Sequence, residues 1–394
     1  MTAGNQAIAL VNAEIGGRLG CMRMVGDRIA SVGEAPGPSD RVVDLGGDCL
    51  LPGLINAHDH LQLNNYPRIQ YRDRYSNAGE WIEDIDSRRD TDPRLASCAK
   101  MPRAARLLQG GLKNLLCGAT TVAHHDPAYP ELDQPGFPVR VVRDCGWAHS
   151  LHIDGDDAVR RSHAATPPGR PWIVHAGEGV DSAASAEFDR LDSLGCVTAN
   201  SVLVHGVGFT PRQLQRLVNA GAALAWCPGS NLFLFGHTPD VATLAAAGAL
   251  LLGSDSRLSG ERDLLAELAL AATLAPLDAA GLVALVTSEA ARVLRLPDRG
   301  ALVAGNLADL VILPAGLPLH RARRADLRAV IVGGRMRYGD AVSAAAFAGR
   351  AHWSRFNVDG VAKYLAVDMA TRLRDAGVQE PGCELFPDAG WRAA

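Results

Sequence analysis

Strand and helix alternate through the second half of the chain, and that rhythm predicts an α/β fold built on a parallel sheet. Four apolar strands (PWIVHAGE, SVLVHG, ALAWCP and ALLLGSDS) are each followed by a helical stretch, at a spacing of roughly 25 residues. The strands are continuously apolar rather than alternating, as strands buried on both faces must be. Consecutive units of this kind favour a closed (β/α)₈ barrel, a TIM barrel, with an open sheet as the alternative. Short strands separated by Gly-rich corners recur at both chain ends and predict a small β-sandwich formed by both termini.

The elements follow in order. Residues 7–50 read as short strands in AIALVNA, MRMVGDRIASVG and RVVDLG. LPGLINAH is an apolar run with a polar end. A helix is expected over about 93–117, with Asp92 as N-cap and Pro93 at the first position. GATTVAHH is the next strand. FPVRVV and WAHSLHI both look like strands, yet parallel neighbours need a crossover of about a dozen residues. Either one of them is not a separate barrel strand or the two form one bent strand. Further on, Gly195 stops the helix SAASAEFDRLDSLG. Thr210 caps TPRQLQRLVNAG, with Pro211 at its first position and Gly221 at its end. TPDVATLAAAG repeats that punctuation, and RDLLAELALAATL is the last helix of the series. Strands return in ADLVILP, RAVIVGG and RMRYGD, and residues 342–375 read as external helices. The expected organisation is a composite sandwich of 1–50 and 306–345, a barrel of 51–305 and a helical extension of 346–394.

Composition narrows the function classes. The 394 residues are 47% hydrophobic and 21% charged, enough for a large core and incompatible with disorder. A formal net charge of −4 provides no basic field for nucleic acid or anionic membrane. No uncharged apolar run reaches the roughly 18–20 residues that span a bilayer. Eight cysteines lie scattered without a CxxC pair, and the start lacks a basic, then apolar, leader pattern. A soluble cytoplasmic protein with reduced thiols is expected. Only Lys100, Lys113 and Lys363 are lysines. Codon bias accounts for the imbalance, but any lysine-dependent chemistry then has three candidates.

In parallel barrels, reacting groups collect at the C-terminal strand ends. Here those ends carry His58 and His60, His124 and His125, His175 with Glu178, His205, and Asp255. Two residues apart on a strand, His58 and His60 share a face and make a chelate for a borderline divalent metal. Glu178 lies three residues past His175, placed to overhang a metal and move protons; its competing role is to cap the helix starting near Asp181. Asp255 ends a buried apolar strand, where a carboxylate is costly unless paired or metal-bound. His205 alone reads nearly as well as a satisfied core histidine, and the set of strand-end residues makes the difference.

The ordered segments LPGLINAHDHL, the His175/Glu178 strand, LVHG, WCPGSNLFLFG, LLGSDS and GNLADLVIL resemble the amidohydrolase superfamily. The similarity is to its mononuclear branch of cytosine- and guanine-deaminase-like enzymes and triazine aminohydrolases, over about residues 7–340. The resemblance implies a distorted (β/α)₈ barrel with a β-sandwich from both termini. It implies one divalent metal per chain, Zn²⁺ by default with Fe²⁺ or Mn²⁺ compatible, held by His58, His60, His175 and Asp255. Glu178 would be the general acid/base, and His205 would contact the activated water or the substrate. Asn231 matches a family Asn, with turn formation as its other role. With no lysine at a strand end, a carboxylated-lysine bridge between two metals is not expected. Four departures concern substrate: the HDH first motif, HAGE in place of HLAE, the His124–His125 pair, and a short segment between the second and fifth strands.

The expected reaction is hydrolysis of a non-peptide C–N bond by a metal-activated water, as an aminohydrolase (deaminase). The alternatives are an amidase or cyclic amidase on an acidic substrate, and a catalytically inactive barrel scaffold. Asp255 would take the water's proton, Glu178 would relay it to the leaving amine, and His205 would steady the oxyanion. His125, Asn231, Arg257 and Trp81 are the candidate substrate contacts. Arg68, Arg72 and Arg74 lie in the loop after the first strand, where arginines hold carboxylates or phosphates or simply face solvent. The partner is a small molecule, with the external helices as a surface for a homodimer.

Overall fold

A computed structural model describes residues 6–348 and 352–386. Eight parallel strands lie in two sheets. The first sheet holds β1 (Leu54–Asp59), β2 (Ala119–His124) and β3 (Arg140–Val141). The second holds β4 (Gly146–Ser150), β5 (Trp172–Ala176), β6 (Ser201–His205), β7 (Ala223–Trp226) and β8 (Leu250–Leu252). FPVRVV and WAHSLHI therefore do supply separate strands. β3 ends one sheet and β4 begins the other without a ladder between them, so no long crossover is required. At the other junction, the amides of Ser254 and Asp255 both donate to the His58 carbonyl at 3.1 Å.

Both chain ends build one continuous 11-stranded sheet. Cys49–Pro52 from the N-terminal part pairs antiparallel with Leu310–Leu313 from the C-terminal part. The helical expectation for 342–375 holds only at its edges, in Ala341–Ala348 and Val367–Asp375. Between them, Trp353–Val358 and Val361–Ala366 form an antiparallel hairpin, and Cys383–Leu385 adds a further strand. Buried Ser354, Phe356 and Val358 alternate with the more open Arg355 and Asn357, and Asp359-Gly360, both at positive φ, make the two-residue turn. Residues 349–351 and 387–394 of the expected extension lie outside the described part.

The helix expected at 93–117 is two helices, Pro93–Ala99 and Arg103–Leu116. Pro102 cannot donate to the preceding turn and disfavours a helical residue before it, so the chain re-starts there. Asp92 caps the first helix as anticipated, accepting from the Arg94 amide at 2.9 Å. Thr210 and Gln213 form a reciprocal capping box on Pro211–Asn219. The segment around Asn231, for which a turn was the other role, is helical over Pro228–Phe235 and closes on left-handed Gly236. No helix among the described residues is long and apolar enough to cross a membrane.

Candidate active site

One apolar cluster gathers residues from both parallel sheets: Ile55, Ala57, Ala123, Ile173, Val202, Val204, Ala225 and Leu251 among them. These mark the inward face of each strand. Continuing the alternation brings His125, His175 and Asp255 inward in phase with Ala123, Ile173 and Leu251. On β1 the phase is wrong, because Ile55 and Ala57 are odd-numbered while His58 and His60 are even. A register shift between Asn56 and Asp59, a β-bulge against β2, corrects it. On β6, Val202 and Val204 predict an outward His205. A left-handed φ of 74° at His205 turns it in, and Asp255 has φ 49°. Non-glycine residues in this region cost about 1–3 kcal/mol each and collect at functional sites.

The histidines meet tightly. His175 Nε2 lies 3.2 Å from His60 Nε2 and 3.3 Å from His58 Nε2. Asp255 Oδ1 lies 3.8 Å from the Nε2 atoms of both His58 and His60. His125 joins them, with one donor atom from each of the four rings within 4.8 Å of the others. A Cβ on Gly253 would stand 2.7 Å from His58 Cβ, so the glycine lets β8 approach β1 this closely.

The far nitrogens are held so that donor lone pairs face the centre. His175 Nδ1 is 2.8 Å from the His149 carbonyl, and His125 Nε2 is 2.8 Å from the Ala148 carbonyl. His60 Nδ1 pairs with Asp126 Oδ2 at 2.6 Å. Burial and neighbouring imidazoles push His58 and His175 well below the usual histidine range. Burial opposes charge on His60 too, but Asp126, Asp255 and Asp59 hold it up at about 9. The centre is thus a place for one positive charge among unprotonated nitrogens. Four donors at about 2.0–2.1 Å from a tetrahedral Zn²⁺ stand roughly 3.3–3.4 Å apart, so the Nε2 spacings match a divalent cation.

Around this centre sit the acid and base candidates. Glu178 Oε1 is 3.5 Å from His205 Nε2. Burial, with a contribution from Asp255, raises the Glu178 carboxyl above its ordinary range, although His205 pulls it down. Burial would raise Asp255 too, but His60 and His205, with hydrogen bonds from Ser259 Oγ (2.8 Å) and the Ser256 amide (2.7 Å), leave it below the usual range. One carboxyl inclined to keep its proton beside one inclined to lose it is the division of labour that acid–base catalysis needs. The Glu178 turn is pinned by the Ala78 amide donating to the Glu178 carbonyl at 2.9 Å.

A cavity of about 560 Å³ opens over these groups. His60, His175, Glu178, His205 and Asp255 line its floor and Trp81 its wall, while fully buried His58 lies beneath. The other three candidate substrate contacts do not line it. His125 is fully buried against His58 and His175. Asn231, also fully buried, accepts from His205 Nδ1 at 2.9 Å and so fixes that ring rather than forming a turn. Arg257 pairs with Glu380 at 2.7 Å and donates to the Asn64 carbonyl, tying the strand end to the C-terminal segment. Sequence reasoning missed Asp126 and His149, which both line the cavity. Asp126 directly follows the His124–His125 pair, which was its available signal. His149 lies in the stretch whose strand assignment was unresolved.

Residues 157–348 match the model of the amidohydrolase family. A 5-methylthioadenosine/S-adenosylhomocysteine deaminase of Nitratidesulfovibrio vulgaris is 24% identical over 416 residues, 87% of this chain and 89% of the relative. Over that segment, and along most of its length, the chain is thus similar to amidohydrolase-family proteins. A 5'-deoxyadenosine deaminase of Methanothermobacter thermautotrophicus is also 24% identical, over 84% of this chain and 93% of its own. Among solved structures, zinc-complexed atrazine chlorohydrolase of Arthrobacter aurescens superposes with a TM-score of 0.68 at 19% identity, covering 84% of this chain and 94% of that one. The fold is accordingly a TIM-barrel-like α/β architecture with an attached sheet domain.

Proposed function

We propose that this amidohydrolase removes an amino group from a small heterocycle by hydrolysis, releasing ammonia. The convergence of three Nε2 atoms and Asp255 Oδ1 beneath an open cavity carries the reading. His58, His60, His175 and Asp255 would hold one divalent cation per chain, Zn²⁺ before Fe²⁺ or Mn²⁺, as the zinc-complexed neighbours suggest. When bound, such a cation acidifies water and polarises the bond under attack. Asp255 accepts the water's proton, with its other oxygen tied to Ser259 Oγ. Glu178 hands a proton to the ring or leaving nitrogen, helped by its raised affinity for it. His205, its Nδ1 donating to Asn231, presents Nε2 to the cavity floor, where the attacked carbon gains an oxygen. The deaminase relatives favour amine release over amide cleavage.

Architecturally, β1–β8 are proposed to close into one distorted (β/α)₈ barrel over 51–305. The terminal sheet is proposed to fold as a sandwich of 1–50 and 306–345 to which the 353–385 strands belong. A cytoplasmic setting suits eight free cysteines. The test is ammonia release by the zinc-supplemented chain across purines, purine nucleosides, pyrimidines, pterins and triazines, with elemental analysis alongside. Turnover with one metal per chain is expected. Carboxylate formation without ammonia would replace the deaminase reading by an amidase, and two tightly bound metals per chain would refute the single-cation site.

A further inference from the structure

The chain is rich in arginine, and the structure sorts its arginines by whether their charge is already answered. Arg68 pairs with Glu261 at 3.0 Å and donates to the Gly229 and Ser259 carbonyls. Arg72 holds Asp84 and Glu80. Arg89, on the cavity wall, pairs with Asp86 of its own helix. Arg257 is locked to Glu380. Arg106 is different. It lines the same cavity as the catalytic groups, and no hydrogen bond or ion pair among the described residues involves its guanidinium. Its Nε is buried and lacks a partner altogether. A buried, unpartnered donor on a charged group costs about 1–3 kcal/mol or more, and such atoms call for an explanation.

A second unpartnered polar atom belongs to the same lining. Gln62 donates from Nε2 to Asp126 Oδ2 at 2.6 Å, which leaves Oε1 buried and unpaired. The lining also carries an apolar set, Trp81, Ile82, Ile85 and Leu258. The floor, from Glu178 to Asp255, is the reacting end. The geometry points to a substrate with three parts: the C–N bond at the floor, a flat body against the apolar set, and a carboxylate paired with Arg106. A carboxylate suits a single guanidinium, whose planar fork matches two oxygens. A dianionic phosphate would need further positive charge, and the other arginine of the lining, Arg89, is already paired with Asp86. Arg106 is thus a specificity residue for an aminoheterocyclic carboxylic acid, an assignment that rests on the deaminase reading.

The experiment compares matched pairs on the zinc-loaded full chain: cytosine with 5-carboxycytosine, adenosine with adenosine-5'-carboxylate, and pterin with pterin-6-carboxylate. Adenosine 5'-monophosphate serves as the phosphate arm. Ammonia release gives kcat/KM, and calorimetric titration gives affinity without turnover. In the productive pair the carboxylated member is expected to lead by about tenfold or more, through KM. Arg106→Gln brings that ratio towards one, and Arg106→Lys, which keeps the charge, retains part of it. A ratio of one or less in the parent, or an unchanged ratio in Arg106→Gln, overturns the assignment. The monophosphate outpacing every carboxylate also overturns it. If no compound releases ammonia, the deaminase reading falls and the titration alone decides. Tighter binding of carboxylated members, lost in Arg106→Gln, still supports the subsite; equal or absent binding rejects it.

Discussion

Two buried polar clusters sit back to back at the end of β1, and they are built on opposite principles. Behind the strand, Lys113, Asp59, Asn56, Asn64, Asn114 and Ser254 saturate one another. Lys113 Nζ meets Asn64 Oδ1 at 2.8 Å, Ser254 Oγ at 3.0 Å, the Asp255 carbonyl at 3.1 Å and Asp59 Oδ2 at 3.2 Å. Asp59 also receives Asn64 at 2.7 Å and Asn114 at 2.7 Å. No side-chain atom of the six is left without a partner. In front of the strand, imidazole nitrogens face each other at 3.2–3.3 Å, and His58 Nδ1, His125 Nδ1 and His205 Nε2 have no partner. A network that satisfies itself is a frame, whereas one that does not is waiting for a ligand. The bulge in β1 divides them, sending Asn56 and Asp59 to the frame and His58 and His60 to the site.

The sharpest way to break this contrast is to remove groups that only the reaction needs. Asp255→Asn and Glu178→Gln should each lower kcat/KM for ammonia release by about a thousandfold or more, with thermal unfolding close to the parent's. Turnover near the parent's in either variant would remove that residue from the mechanism. The reverse pattern is expected of Lys113→Met. Breaking a fully buried ion pair on one side costs about 3–5 kcal/mol, read as a large drop in denaturant midpoint. Replacing both partners, as Lys113→Met with Asp59→Asn, should recover part of that loss. Metal-free His175→Asn, by contrast, should stay within about 1 kcal/mol of the metal-free parent, because the imidazole cluster without its cation contributes little stability.

Much of both clusters was legible in the sequence, and the parts that were not have physical reasons. Strand ends carrying His175, Glu178 and Asp255 follow from apolar runs that stop in polar residues, and His125 and His175 obey simple alternation. His58 and His60 were correctly given a common face, but strict alternation from Ile55 and Ala57 would have aimed both outward. Only the bulge and the left-handed backbone at His205 aim these side chains correctly, and neither has a local sequence signature. Lys113 illustrates a different gap. Its place on a helix, away from any strand end, was read correctly. That a long side chain reaches from that helix to the Asp255 carbonyl depends on packing, which no periodicity encodes. Arg257 was assigned to substrate by its distance from Asp255 in sequence, and its partner Glu380 lies more than a hundred residues away. The 353–366 hairpin was misread because its alanines and aromatics also suit a helix, and the sheet edge it joins forms only in three dimensions.

Outside both clusters lies a buried carboxyl whose charge its surroundings do not favour. Glu267 is fully buried and accepts the Gly229 amide at 2.9 Å and the Glu261 amide at 2.8 Å. Burial pushes its carboxyl up to about 8 despite those hydrogen bonds. An unfolded Glu267 loses its proton near the ordinary 4.5, while the folded chain keeps it to about 8. The folded state therefore binds more protons in that window, and this group lowers stability as pH rises from about 5 to 8. The parent's denaturant midpoint should fall over that range relative to Glu267→Gln, which carries no titrating group. Parallel profiles for the two proteins would show that Glu267 ionises normally.

The smallest effect is expected where frame and site share a single hydrogen bond. His60, His125 and His175 are steadied by Asp126 or by backbone carbonyls, whereas His205 depends on Asn231 Oδ1 at 2.9 Å. That bond places the proton on Nδ1 and leaves Nε2, 3.5 Å from Glu178 Oε1, as the nitrogen facing the floor. Asn231→Leu keeps the volume but frees the ring to exchange tautomers. A loss of about 10- to 100-fold is expected, in kcat more than in KM, because the bond orients a reacting group rather than gripping substrate. Asn231→Asp replaces the amide by a carboxylate that still accepts from Nδ1, so it should retain more activity than the leucine variant. Equal activities in Asn231→Leu and the parent would reduce Asn231 to packing and leave His205 orienting itself.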